Sequence, residues 1–292
     1  MKKSVSIIIV TYKSKEYLWG CLDSILRFND INNQKLEVII VDHSPAEFST
    51  ELRKISEEHP LARLVRILFI HNESNTGYGA GNNLGIRNSS GDIICIMNPD
   101  VRFTSFLLNK VIKHFDSEPN TGILSFKQIG GGNLTFYKRP EHKMHFIDGI
   151  VTKYRNRKDR FNSKKDFLSG AFFFADRQKF IEIGLFDENI FMYNEESDIA
   201  RRFLQRGYAL HYDASNTYLH LIESREFNEI AFKEEIISLR YYIEKFNLNA
   251  DSIWRKYLQE IRFKLIISKM LRRSSDIKRF SKMISVIKIN RA

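Results

Sequence analysis

Two cysteines in 292 residues, Cys21 and Cys95, are too few for a disulfide framework. Cys95 lies inside an apolar run, where a thiol acts as a small hydrophobe, and a reducing, cytosolic compartment is the simplest expectation. No run of about 18 or more apolar residues occurs, so no transmembrane helix is expected. The start, "MKKSVSIIIVTY", is basic but lacks the longer apolar region and small-residue cleavage site of a signal peptide. No internal repeat is visible. Acid is scarce in one place: residues 255–292 hold twelve Lys/Arg against Glu260 and Asp276, a surplus of +10, whereas the rest of the chain carries 34 basic and 33 acidic groups. The body is neutral and the tail is basic, which suits nucleic acid, anionic lipid or an acidic protein as partner.

Hydrophobic residues make up 43% of the chain, enough for one substantial core with or without an appendage. Residues 4–10, 36–42, 65–71 and 92–97 read as short apolar strands, separated by polar stretches with helical spacing such as Leu18, Leu22, Ile25 and Leu26. That alternation predicts a parallel sheet covered on both faces. Ligands of such sheets gather at the carboxyl ends of the strands, where Thr11-Tyr12, Asp42 and Asn98-Pro99-Asp100 fall. Residues 127–165, rich in Gly and basic groups and poorly periodic, are too long for an ordinary connection and read as a mobile or functional loop. Beyond them, "MYNEESDIARRFLQRGYALHYD" reads as a helix ended by Gly207 and then a strand, and the last sixty residues as helices with a break near 246–251.

Several stretches carry candidate chemistry. In "GDIICIMNPD" a buried strand ends on Asn98 and Asp100, with Pro99 fixing the exit; this is either a strand-terminating turn or a pair of oxygen ligands for a divalent cation. "NTGYGAGNNLGI" fails the dinucleotide spacing, because Asn82 and Leu84 stand where the third glycine belongs. Its glycines serve either close helix–sheet packing or backbone approach to a ligand, and Asn75, Asn82 and Asn83 are candidate caps. Asn194 is a candidate cap for a helix whose first turn holds Glu195 and Glu196, with Asp198 and Arg202 spaced to pair on its surface. Such an acidic start is ordinary helix chemistry, but crowded carboxylates also raise a pKa toward that of a general base. His220 is either a satisfied histidine or a metal ligand.

Taken in order over residues 4–225, "SIIIVTYKSKEYLWGCLDSI", "VIIVDHS", "NTGYGAGNNLGI", "GDIICIMNPDV", "SGAFFFADRQKFIEIGLFDENIFMYNEESDIARRFLQRGY" and "YLHL" resemble the inverting glycosyltransferases of family 2, especially the rhamnosyltransferase-like branch. The resemblance implies a GT-A fold: a Rossmann-like, mostly parallel central sheet with helices on both faces. It implies a glycosyltransferase domain over 1–226, with a nucleotide-sugar half over 1–126, the basic loop over 127–165 and an acceptor half over 166–226; residues 227–292 are then a helical basic extension. Thr11, Tyr12, Asp42 and Asn75 are expected at the donor, and Asn98 and Asp100 at the family's Asp-x-Asp site beside the diphosphate. Asp100 and His220 are expected to bind Mg²⁺ or Mn²⁺. Glu195-Glu196 matches the family's Glu-Asp pair, making Glu196 the expected catalytic base and Glu195 the second choice. The implied chemistry is a single in-line displacement in which the base deprotonates an acceptor hydroxyl and the metal offsets charge on the leaving nucleoside diphosphate.

The implied donor is dTDP-rhamnose, with a UDP-hexose or UDP-N-acetylhexosamine as the alternative, and the implied acceptor is a glycan, free or on a polyprenyl diphosphate, in cell-surface polysaccharide synthesis. Asn98 and Glu196, standing where acids more usual to the family would be, also admit a binding or scaffold protein that has lost turnover. The basic tail reads either as a membrane-surface element, giving peripheral attachment at the inner face of the plasma membrane with each cation near an anionic leaflet adding about 1 kcal/mol, or as a solvated helix pair packing on the body. Nucleic acid is not expected, since no recognised binding module accompanies the charge.

Overall fold

The computed structural model describes residues 3–144, 146–221 and 227–291. The first half alternates β1 (Val5–Thr11), α1 (Lys15–Arg27), β2 (Leu36–Asp42), α2 (Ala46–Glu58), β3 (Arg66–His71), α3 (Tyr78–Arg87) and β4 (Ile93–Met97). Then follow β5 (Val101–Phe103), α4 (Leu108–Ser117), β6 (Thr121–Ile129), β7 (Phe136–Lys138), α5 (Asp148–Arg157), β8 (Asp166–Leu168), β9 (Phe172–Asp176), α6 (Arg177–Glu182), α7 (Glu195–Gln205) and β10 (Ala209–His220). The chain ends in α8 (Glu229–Lys245), α9 (Ala250–Met270) and α10 (Ser274–Asn290).

Eight strands form one sheet in the order β3-β2-β1-β4-β9-β6-β10-β5, in which β9 and β5 run against the others. The expected mostly parallel sheet is therefore present. Successive strand residues point to opposite faces, and the core divides accordingly. Ile7, Ile9, Val38, Ile40, Cys95 and Met97 pack with α1, α2 and α4, while Ile8, Ile39, Val41, Ile94 and Ile96 pack with α3, α6 and α7. Near-continuous Val/Ile runs are what such a doubly covered sheet requires. A separate core built on Phe232, Ile236, Trp254, Leu258, Ile261 and Ile287 holds α8, α9 and α10 together. The proposed boundary between residues 226 and 227 falls at the edge of residues 222–226, outside the described residues.

Residues 127–165 carry regular structure: the end of β6, the strand β7, which pairs antiparallel with β8, and α5 between them. Asp166 pins the segment by a two-pronged bond to Arg155 at 2.9 and 2.6 Å, and the Asn156 amide oxygen accepts from the backbone N–H groups of Thr135 and Phe136. The glycines of α3 serve packing: a Cβ on Gly85 would lie 2.4 Å from Ile8 Cγ2, and one on Gly81 2.4 Å from His43 Nε2. Asn82 and Asn83 lie inside α3 and cap nothing at its start; Asn83 instead donates to the Phe186 carbonyl across the fold. Gly207, at φ +83°, ends α7 with the Tyr208 N–H on the Phe203 carbonyl and its own N–H on that of Leu204, a Schellman turn.

Candidate functional site

Thr11 and Asp42 are register partners at the carboxyl ends of β1 and β2, and the Thr11 hydroxyl donates to Asp42 Oδ1 at 2.8 Å. The same oxygen accepts from the Ser44 hydroxyl at 2.6 Å and the Ser44 N–H at 3.2 Å. Asp42 Oδ2 is buried without a partner, which leaves a fixed acceptor for a hydroxyl-bearing ligand. Tyr12, next along the chain, exposes half of its ring. Asn75 is exposed and caps a turn by accepting from the Gly77 N–H at 3.1 Å; its loop reaches Asp42's neighbourhood through the Ser74 carbonyl, which bonds His43.

Asn98, Pro99 and Asp100 form a turn closed by the Val101 N–H on the Asn98 carbonyl at 3.1 Å. The turn reading and the ligand reading are compatible here, because β5 then pairs with β10 so that Val101 faces His220. Asp100 Oδ2 and His220 Nε2 consequently lie 2.9 Å apart, both side chains buried. They are not aligned as a hydrogen bond, and each atom is otherwise without a partner. Gln128 explains which proton is where. Its NH₂ donates to the Asn133 carbonyl, so its oxygen faces the Tyr218 hydroxyl and His220 Nδ1, both at 3.2 Å. Nδ1 is therefore the donor, and in the neutral ring Nε2 presents a lone pair to a carboxylate oxygen.

Two buried acceptors at that separation require a cation or a proton between them. Adjacent ligands at about 2.1 Å from one octahedral ion are about 3 Å apart, so the pair fits Mg²⁺ or Mn²⁺. Among the described residues no group of three or more His, Cys, Asp and Glu side chains is arranged to hold an ion. Most coordination positions would thus fall to a substrate and water, the usual arrangement for an ion that bridges phosphates.

Tyr193 and Asn194 both have left-handed φ, 70° and 67°, immediately before α7. Asn194 occupies the capping position, but its side chain does not cap the helix and its amide is turned to the Glu235 carbonyl on α8 at 3.5 Å. Asp198 does pair with Arg202, at 2.7 Å to Nε, yet the pair is buried rather than superficial: Asp198 is fully enclosed and also meets Lys245 of α8 at 2.5 Å. Glu195 is buried with one carboxylate oxygen unpartnered. Burial, with Glu196 and then Asp198 adding to it, pushes its carboxyl well above the usual range. Glu196 is half-buried; burial raises it too, opposed by its own backbone N–H and by that of Gly170, 3.1 Å from Oε1.

The segment Gly170-Ala171 joins the two clusters. Gly170 holds Glu196, the Ala171 carbonyl accepts from the Asn98 N–H at 2.9 Å, and the Gly170 carbonyl accepts from the Tyr78 hydroxyl at 2.7 Å. Burial first, then Glu196, Glu195 and Asp100, hold the Tyr78 phenol well above its ordinary pKa, so it remains an O–H donor within the field of all three carboxylates. Sequence reasoning missed Tyr78, Gly170 and Gln128 as individual residues; the first two lie in stretches whose family resemblance is visible, and Gln128 has no signal beyond a polar residue late in a strand.

Glu196 also lines a cavity of about 500 Å³. Its walls include Tyr137, Lys138 and Lys143 from the 127–165 segment and Glu235, Tyr257 and Glu260 from α8 and α9. Lys138 pairs with Asp148 at 3.2 Å, and Lys143 sits 4.8 Å from the centre of the Tyr257 ring. A carboxylate on one rim, cations and aromatic faces on the walls, and the Asp100–His220 pair behind the Gly170 link give the cavity the polar and aromatic lining of a small-molecule site.

The sequence profile described as "Glycosyl transferase family 2" matches residues 6–184. The low-salt glycan biosynthesis hexosyltransferase Agl10 of Haloferax volcanii is 26% identical over 212 residues, covering 69% of this chain and 62% of that protein. The rhamnosyltransferase WbbL of Escherichia coli K12 is 22% identical over 267 residues, 82% of this chain and 93% of that one. The chain spans about three fifths of the length of Agl10 and of the uncharacterized Bacillus subtilis glycosyltransferase YfnE, 62% and 60% respectively. Among solved structures, the mannosyltransferase PcManGT of Pyrobaculum calidifontis, in complex with GDP-Man and Mn²⁺, superposes with a TM-score of 0.62 at 18% identity, over 84% of this chain and 64% of its own. GalNAc-T7 with UDP, GalNAc and Mn²⁺ gives 0.60 at 14%, over 81% and 47%. At these identities the likeness establishes the fold, GT-A, with α8 to α10 following it.

Proposed function

The chain belongs to glycosyltransferase family 2, and from that membership we propose that it moves one sugar from a nucleotide-sugar donor to an acceptor hydroxyl with inversion, Glu196 acting as base. The observation that carries this reading is the Gly170-Ala171 link, which ties the Glu196 carboxylate to the Asn98–Asp100 turn. In one step the acceptor hydroxyl gives its proton to Glu196, its oxygen bonds the anomeric carbon, and the bond from that carbon to the diphosphate oxygen breaks with its electron pair on the leaving group. Burial raises both carboxyls, so the pair sheds its protons in two steps, and Glu196, held by the Gly170 N–H, is the member placed to take the proton of the acceptor hydroxyl. Asp42 Oδ2 accepts from a ribose hydroxyl, with Thr11 and Ser44 fixing the carboxylate, Tyr12 beside the base and Asn98 and Asn75 at the donor's edge. Asp100 and His220 would hold Mg²⁺ or Mn²⁺, which offsets charge on the diphosphate when bound. The Mn²⁺ in PcManGT and GalNAc-T7 supports that choice.

The donor we favour is dTDP-rhamnose, supported by a similarity that runs along 93% of WbbL. A UDP-hexose or UDP-N-acetylhexosamine is the competing donor, favoured by the hexosyltransferase Agl10 and the UDP-bound GalNAc-T7. The acceptor is a glycan on a polyprenyl diphosphate in cell-surface polysaccharide synthesis, met by a peripheral protein at the cytoplasmic face of the plasma membrane. Among the described residues no helix is long and apolar enough to cross a membrane. Glu196→Gln tests the catalytic reading: kcat should fall by about 10²–10⁴ with donor affinity retained. Unchanged turnover would transfer the role to Glu195, and no turnover in either protein would leave a binding or scaffold role. Thermal unfolding with dTDP-, UDP- and GDP-sugars, with and without Mg²⁺ or Mn²⁺, identifies the donor, a bound one adding about 2.7 kcal/mol at a hundredfold excess over its Kd.

A further inference from the structure

Helix α9 has two apolar faces. Trp254, Tyr257, Leu258 and Ile261 are buried against α8 and α10. On the opposite side Phe263, Ile266, Ile267 and Met270 follow at i, i+3, i+4 and i+7, one stripe of a helix. Ile266 is 56% and Met270 78% exposed. The stripe continues to the start of α5: the Phe263 ring is 4.9 Å from that of Phe146, two residues before the helix, and Ile150 in its first turn is 63% exposed. A monomer gains nothing by leaving such a contiguous patch in water. Advancing about 100° per residue, Arg262 and Lys269 fall along one flank of the stripe and Lys264, which pairs with Glu260 at 2.6 Å, along the other, all three exposed.

We infer that this α5–α9 face is the membrane-contacting surface of the protein and that its partner is an anionic bilayer, into which the stripe inserts while the flanking cations meet the headgroups. Charge favours this occupant: residues 255–292 carry a surplus of +10, and long cationic side chains lie over an apolar surface with their heads at its polar edge. Position favours it too. Gly149 and Glu260 line the Glu196 cavity, a Cβ on Gly149 would lie 3.2 Å from Glu260 Oε1, and Ile150 and Phe263 come next on the same two helices. The patch borders the cavity, so insertion brings the cavity rim to the lipid surface, where a lipid-linked acceptor of the kind proposed above would present its sugars.

Flotation of the full chain with vesicles tests this without requiring turnover, so a failure of the catalytic reading leaves it standing and the reverse holds. The protein should float with phosphatidylcholine vesicles containing phosphatidylglycerol and much less with phosphatidylcholine alone. The double variant Ile266→Glu/Met270→Glu should remain at the bottom, with an unchanged unfolding midpoint and unchanged donor binding. Arg262→Gln and Lys269→Gln should each weaken partitioning about fivefold. Equal flotation with neutral vesicles, or unaltered flotation of the Ile266/Met270 variant, would overturn the assignment. So would lipid-free light scattering that shows a dimer in the parent and a monomer in that variant, since the stripe would then be covered by a second copy.

Discussion

Replacing Gly170 with alanine tests whether the Glu196 carboxylate must stand where the structure holds it. Gly170 has no left-handed φ, so alanine imposes no backbone strain. The new Cβ would sit 2.3 Å from Glu196 Oε1 and 3.0 Å from its Cδ and Cγ. A carbon–oxygen contact relaxes at about 3.3 Å, so the oxygen must retreat by about 1 Å and lose the Gly170 N–H bond. A misplacement of that size costs about 10²-fold in kcat. Losing a bond to a carboxylate costs about 1.5–3 kcal/mol of stability, offset by about 0.4–1 from the stiffer unfolded chain. The pH profile carries a further sign. The Gly170 N–H lowers the Glu196 pKa against burial, so its loss raises that pKa, and the acid limb of kcat should move to higher pH. Steady-state transfer across pH, with donor Kd from calorimetry, reads all of this. A variant whose kcat stays within about twofold of the parent, with the same acid limb, would refute the positional reasoning.

Gln128→Leu removes the acceptor that orients His220, so Mn²⁺ affinity measured with a nucleoside diphosphate present should drop about 10–100-fold, and His220→Ala should drop it further. Glu195→Gln should stabilise the protein at neutral and higher pH. A carboxyl raised by burial binds its proton more tightly when folded, so its contribution is complete below the unfolded pKa and is lost as pH rises through the folded one; urea midpoints of parent and variant should converge in acid and separate above it. Lys245→Met strips a cation lying 2.7 Å from Asp187 and 2.5 Å from Asp198. Because Arg202 still pairs with Asp198, the expected loss in urea unfolding is about 2–3 kcal/mol, short of the 3–5 for a fully broken buried pair.

Strands β1, β2 and β4 are legible in the sequence because each is buried on both faces and reads as a near-continuous apolar run with a turn signal at its end, and β3, only partly buried at the edge of the sheet, keeps the apolar stretch Ile67–Ile70. The helix ended by Gly207 is legible for a local reason, the Schellman turn that only a left-handed residue closes. Helix α5 is not. It buries Asp148, which pairs with Lys138, and Thr152, whose hydroxyl donates to Asp148, so its inward face is polar and leaves no apolar period. The candidate site shows the same division. Asp42, Asp100, Glu195 and Glu196 stand out as carboxylates at element ends, whereas the approach of His220 to Asp100 depends on an antiparallel pairing between strands more than a hundred residues apart, β5 and β10. Gln128 becomes meaningful only once β6 lies beside β10.

The same long-range wiring governs how the C-terminal helices can be probed. The Ser238 hydroxyl donates to the Met192 carbonyl, Tyr242 to Glu141, and Lys245 spans Asp187 and Asp198, so α8 braces the left-handed turn that aims Glu195 and Glu196. Tyr257 of α9 in turn hydrogen-bonds Glu235 of α8. Deleting residues 255–292 would remove the basic surface, but it would also strip Tyr257 and Glu260 from the cavity wall and Leu258, Ile261 and Ile287 from the core beneath α8. A truncated protein that neither floats nor turns over would therefore confound loss of the proposed lipid surface with displacement of Glu196. Exposed substitutions such as Ile266→Glu leave that core intact, and they separate the two effects because the stripe and the bracing contacts lie on opposite sides of α9.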